Sequence, residues 1–102
     1  MKCRHGTSVT EHWRRLDESS PKDIWFGVDC IPSAYVILEI SDDTLITDDV
    51  IFQCATLCKK ISKEKHLDFS RIMYCTIKNI KKGKTIGSVQ FIKPAFNIMV
   101  YQ

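Results

Sequence analysis

The stretch Pro21-Lys22-Asp23-Ile24-Trp25-Phe26-Gly27-Val28-Asp29-Cys30-Ile31-Pro32-Ser33-Ala34-Tyr35-Val36-Ile37-Leu38 packs the most apolar material of the chain into its shortest span. Two strand-like runs, Ile24 to Val28 and Ala34 to Ile40, flank Ile31-Pro32-Ser33, where the chain turns. The pattern predicts a hairpin-like unit at the centre of a small sheet. Tyr35 to Leu38 shows little polar alternation, as expected of a strand covered on both faces. Neighbouring strand residues point to opposite faces, so at least one of Trp25 and Phe26 is expected in the core.

Before this unit, a brief edge strand is expected near the start of the chain, then a turn at Gly6. Thr10 to Leu16 has the marks of a short helix, with Thr10 as cap, Glu11 in the first turn, and Trp13 and Leu16 on one side. Ser19-Ser20-Pro21 ends it. After the unit, Thr47 caps a second helix that begins with Asp48 and Asp49. Val50, Ile51, Cys54, Leu57, Cys58 and Ile61 form one apolar stripe along it. Lys59, Lys60, Lys63 and Lys65 crowd its C-terminal end, where the helix dipole favours cations. Strands are expected at Ile72–Ile77, Ser88–Ile92 and Phe96–Tyr101. The last two should pair as a hairpin through Lys93-Pro94-Ala95, with Lys78 to Gly87 a basic loop. The architecture is α+β: a small, mostly antiparallel sheet with one long amphipathic helix packed on a face and a short N-terminal helix.

The 102 residues form one domain, 1–102, and can bury a modest core without staples. No apolar run reaches the length of a membrane span. Met1 to Gly6 lacks the apolar core of a secretory signal, so a cytoplasmic setting is expected. Five cysteines at irregular spacing are expected as free thiols, and with only scattered histidines (His5, His12, His66) no zinc site is expected. The net charge of +3 conceals an asymmetry. Residues 1–51 hold five Lys/Arg against ten Asp/Glu, a balance of −5, and residues 52–102 hold ten against two, a balance of +8. The basic half suits an anionic partner, although a solvated face with no partner accounts for it equally well.

No catalytic constellation emerges. Gly83-Lys84-Thr85 resembles the end of a P-loop, but Lys78 stands where its first glycine is needed. There is no Gly-x-Ser-x-Gly elbow. Asp42/Asp43 and Asp48/Asp49 fit solvation and helix capping better than acid–base chemistry. No enzyme activity and no cofactor are expected. A binding signature remains: Lys78, Asn79, Lys81, Lys82 and Lys84 could meet nucleic-acid phosphates. Lys59, Lys60, Lys63, Arg14 and Arg15 could extend that patch. Trp13, Trp25, Phe26, Tyr35 and Tyr74 could stack on bases, with core packing the alternative for Trp25 and Phe26.

Asp23-Ile24-Trp25-Phe26-Gly27-Val28-Asp29, followed by Pro32-Ser33-Ala34-Tyr35-Val36-Ile37-Leu38, resembles a family signature: Asp-Ile-Trp-Phe-His-Val-Asp … Pro-Ser-x-His-Val-Ile-Leu of NFACT-R domains. These are the RNA-binding domains of the NFACT proteins of ribosome-associated quality control. They are also the core of the small coiled-coil-domain-containing-protein-25 family. The spacing from Gly6 to Pro21, the helix segment Cys54-Ala55-Thr56-Leu57, the segment Met73–Lys82 and Gly87-Ser88-Val89-Gln90-Phe91 continue the likeness. The signature residues here are Asp23, Trp25, Phe26, Asp29, Pro32, Ser33 and Tyr35. Gly27 and Tyr35 stand where the family has histidines, Thr7-Ser8-Val9 replaces its Arg/Asn-rich element, and the charged coiled-coil tail is missing. The chain therefore looks like a reduced version.

The resemblance implies a non-catalytic, ribosome-bound factor in the cytoplasm. Its expected partners are rRNA at or near a tRNA site, in the large subunit or the tRNA-site region, and ribosomal proteins, with tRNA as a competitor. Ribosome dormancy, or hibernation, is the expected role. The alternative is a protein-binding adaptor in ribosome-associated quality control that makes no direct RNA contact.

Overall fold

A computed structural model describes residues 3–4, 16–28, 35–40, 46–62, 67–84 and 89–101. Seven strands appear among them: β1 (Cys3–Arg4), β2 (Ile24–Val28), β3 (Val36–Leu38), β4 (Phe69–Thr76), β5 (Ile80–Lys82), β6 (Val89–Phe91) and β7 (Phe96–Tyr101). Residues 16–18 are the described end of the short N-terminal helix, α1, and α2 spans Asp48–Ile61. The fold is α+β.

Five strands form an antiparallel sheet in the order β1-β3-β2-β4-β7, with β2 in the middle. The expected central unit is present: β2 and β3 pair with Ile24 opposite Leu38 and Phe26 opposite Val36. Side-chain alternation sends its apolar residues to both sides of the sheet. Phe26, Val28, Val36 and Leu38 face α2 and pack with Ile51, Cys54, Ala55, Cys58, Ile72 and Val100. Trp25, Tyr35 and Ile37 face the other way, into a second core with Leu16, Cys75 and Ile80. Coverage on both faces is why the β3 sequence lacks polar alternation.

The start of α2 lies where its cap and stripe placed it. The Val50 N–H donates to Thr47 Oγ1 at 3.2 Å, and Asp48 and Asp49 occupy the first turn. Ile51, Cys54 and Cys58 are buried along the stripe, while Val50, Leu57 and Ile61 lie at its margins. At the far end the Ser62 N–H and hydroxyl both donate to the Lys59 carbonyl.

The pairing of the last strands corrects the sequence reading. β6 does not pair with β7; it pairs with β5 in a separate two-stranded ribbon, and β7 joins β4 at the edge of the main sheet. The apolar sets of the two strands explain the separation. Val89 packs into the second core, whereas Ile98 and Val100 pack under α2 on the opposite side of the sheet. One hairpin cannot serve both. The Ile92 N–H, bonded to the Asn79 carbonyl at 2.7 Å, holds β6 beside β5 while the chain crosses over through Lys93-Pro94-Ala95. β4 also begins earlier than expected, at Phe69.

Cys54, Cys58 and Cys75 are buried thiols. Burial pushes the Cys58 thiol up to about 12 and the Cys75 thiol up to about 11, from an ordinary value of 9.0. Below pH 9 both thiols are protonated in the folded and unfolded states, and the stability linked to them is complete. Above pH 9 the unfolded chain sheds protons that the folded chain retains, so stability falls toward pH 11–12. The urea midpoint is therefore expected to drop between pH 8 and 10.5, less so in a Cys58→Ala/Cys75→Ala variant. A midpoint equally steep in that variant would refute the linkage to these thiols.

Candidate nucleic-acid interface

The ribbon is positioned by the segment around Asp23, whose carboxylate is buried. Asp23, 4% exposed, accepts hydrogen bonds from the N–H groups of Ser20 and Ile40, each at 3.0 Å. This ties the exit of α1 to the chain just beyond β3. The Asp23 backbone carbonyl accepts the Ile77 N–H at 2.8 Å, and the Pro21 carbonyl accepts the Lys78 N–H at 3.1 Å. These bonds fix the 3₁₀ turn Ile77–Asn79, which leads from β4 into β5. Asn79 closes the turn by donating from Nδ2 to Thr76 Oγ1. The expected basic loop thus begins as a turn followed by a strand, and its residues 85–87 lie outside the described ones.

In the ribbon, Ile80 pairs with Phe91, Lys81 with Gln90 and Lys82 with Val89. Ile80 and Val89 pack into the second core, and Phe91 lies edge-on to Trp25 with ring centroids 5.6 Å apart. Alternation then puts Lys81 and Gln90 on the outer face, where both are exposed. Lys78, Lys84 and Lys93 are exposed around them. Lys82 lies on the inner side, and its Nζ reaches the Asp17 carboxylate at 2.7 Å. It braces the ribbon against α1.

The other basic residues do not converge here. Lys59 is 4% exposed and its Nζ donates to the Leu67 carbonyl at 2.7 Å. It leaves the candidate site for a structural role. Lys60 is exposed at the end of α2, on the opposite side of the sheet from the ribbon. Trp13, Arg14, Arg15 and Lys63 lie outside the described residues, as do Asp29, Pro32 and Ser33. Trp25, Phe26 and Tyr35 are buried, which removes them as stacking surfaces. Tyr74 is sandwiched between Phe26 and Phe96, with centroids 5.6 and 5.5 Å away. Gln90 and Lys93 are not among the RNA-binding residues that the sequence suggests. Only the β5–β6 pairing, which the sequence did not suggest, sets Gln90 opposite Lys81 and carries Lys93 past the Ile92–Asn79 bond toward the Lys78 end of the ribbon.

Residues 11–93 match the model of the NFACT protein RNA binding domain. The chain belongs to that family. Membership supports a general role in ribosome-associated RNA binding. No curated protein sequence matches the chain. Among solved structures, the C-terminal part of the fibronectin/fibrinogen-binding protein from Streptococcus suis is similar, with a TM-score of 0.82 and 20% identity over 97% of this chain. The chain spans 40% of that structure's length, and identity at this level shows a shared fold alone.

In this NFACT RNA-binding domain, the two departures from the family signature meet at one side chain. The Tyr35 ring stands edge-on to Trp25, with centroids 5.2 Å apart. A β-carbon built at Gly27 would overlap Trp25 Cζ2 and stand 2.5 Å from Cη2. The indole therefore lies over the bare Gly27 backbone, between Tyr35 and Phe91. Burial pushes the Tyr35 hydroxyl up to about 12, so it is neutral at physiological pH. The Trp-Phe motif is built into the two cores here and presents no stacking surface.

Among the described residues, no group of His, Cys, Asp and Glu could hold a metal ion. No helix among them is long and apolar enough to cross a membrane.

Proposed function

We propose that the domain is a non-catalytic cytoplasmic factor that docks on rRNA at or near a tRNA site of the ribosome and holds the particle dormant. The observation that carries this reading is the outer ribbon face, where Lys81 and Gln90 are framed by Lys78, Lys84 and Lys93. Lysines displayed on an ordered ribbon suit contacts with phosphates, which position a protein on RNA without reading its sequence. A tRNA site fits such a surface because a cleft lined by RNA presents phosphates to it.

The test is co-sedimentation with vacant ribosomes in the presence and absence of excess deacylated tRNA, together with chemical footprinting of the rRNA. Binding that tRNA displaces, with protections confined to a tRNA site, is the expected result. Binding indifferent to tRNA, with protections elsewhere, would refute the site. A second reading, the protein-binding adaptor, draws on β7, which ends the sheet order and exposes Phe96 and Tyr101. Association that survives ~0.5 M salt and RNase would favour it, since phosphate contacts weaken steeply with salt.

A further inference from the structure

Among the described residues, the sheet face that carries the ribbon is only partly covered. The ribbon packs over Trp25 and Cys75, toward the Thr76 end of β4. On the same face, the cross-strand pairs Phe69–Tyr101, Arg71–Met99 and Met73–Asn97 continue along β4 and β7. Phe69 is 54% exposed and Tyr101 70%. Their rings are held together by strand register, with centroids 6.1 Å apart and planes tilted by 48°. Arg71, also exposed, lies two residues from Phe69 on that face.

We infer that Phe69 and Tyr101, with Arg71 beside them, form a stacking platform for unpaired RNA bases on the same sheet face as the lysine-bearing ribbon, at the far end of β4. The inference rests on the RNA reading above and deepens it: the preferred ligand is single-stranded or looped RNA, not continuous duplex. Three observations favour nucleobases over a protein partner. The rings are pre-ordered by the sheet, so little is lost on stacking. The neighbouring charge is a planar guanidinium, which itself stacks on bases. The lysines of the ribbon stand on the same side of the sheet, so one strand can meet both. Bases in a duplex are already stacked on each other and cannot use the platform, whereas unpaired bases of any identity can.

The test compares two labelled probes at fixed salt, a 12-nucleotide oligoadenylate and a 12-base-pair RNA duplex. Phe69→Leu/Tyr101→Leu keeps the apolar area and removes both rings. It is expected to weaken oligoadenylate binding by about 10- to 100-fold, leave the duplex within about twofold, and leave the salt dependence unchanged. Tyr101→Trp keeps an aromatic face and should bind oligoadenylate at least as tightly as the parent, which remains decisive if the leucine pair is poorly folded. Unchanged oligoadenylate binding, or equal losses on both probes with an unchanged urea midpoint, overturns the platform while the ribbon's role stands. Parent protein that binds neither probe overturns both. Loss of a ribosomal-protein contact with RNA affinity intact assigns the patch to a protein and also overturns it.

Discussion

Gly27→His, which restores the residue of the family signature, is expected to destabilise the domain by about 3 kcal/mol. The cause is local. Any β-carbon at position 27 enters the volume of the Trp25 six-membered ring, and that indole is only 2% exposed, with Tyr35 and Phe91 against it. Swinging the indole aside would push it against Tyr35 or Phe91. Even Gly27→Ala should carry a large part of the cost. Domains of this size have only about 5–15 kcal/mol in total, so the shift in urea midpoint is easily measured. The more informative variant is Gly27→His/Tyr35→His. If glycine and tyrosine arose as one repacking around the indole, the second change vacates space beside the ring and lessens the damage of the first. Residues sharing a partner couple by about 0.5–3 kcal/mol, and the expected sign is a double variant more stable than the sum of the singles. A Gly27→His protein within about 0.5 kcal/mol of the parent would refute the packing argument.

The second large effect concerns binding. Lys78→Glu/Lys81→Glu/Lys84→Glu/Lys93→Glu is expected to reduce RNA affinity by more than about 100-fold near 0.1 M salt and to flatten its salt dependence. Each lost phosphate contact removes about 0.7–0.9 from the slope of log K against log salt, so losing all four removes about 3. These side chains are exposed, so the urea midpoint should hardly move. Lys82 is left intact because its partner is Asp17. Lys60→Glu serves as the control: it changes net charge by the same amount per residue, but on the α2 side of the sheet. Its affinity should remain within about threefold of the parent. Equal losses per residue from Lys60→Glu and from the ribbon variants would mean that the overall charge of the domain, not the ribbon, governs binding.

Several parts of the molecule were legible in the sequence because one local signal sufficed. Thr47 with Asp48 and Asp49 marks a helix start whatever surrounds it, and the stripe from Val50 to Ile61 needs only the helical period. The apolar run before Glu39 required cover on both faces, and two cores supply it. The ribbon was not legible. Ile80–Lys82 is three residues long, too short to show a period, and proximity in sequence favoured pairing β6 with β7. Which core each strand feeds is a property of the assembled sheet. Lys59 was misplaced because a lysine at the end of a helix is ordinarily solvated. Here its aliphatic stem is buried and its amine finds the Leu67 carbonyl. The Phe69–Tyr101 pair was out of reach for the same reason as the ribbon: its members are 32 positions apart and meet only through the β4–β7 register.

The ribbon stands apart from the main sheet, and this bears on how it opens. Its two strands have three residues each and share no ladder with the other five. A two-stranded pair of that length is marginal by itself, and it rests here on a few side chains and on the bonds of the 3₁₀ turn. Its opening free energy should lie well below that of the central strands. Amide hydrogen exchange ought to show this directly, with the amides of Lys82 and Gln90 exchanging orders of magnitude faster than those of Phe26 and Ile37. A bound RNA would slow the first pair and leave the second unchanged. Uniform protection across all four would mean that ribbon and sheet open as one cooperative unit.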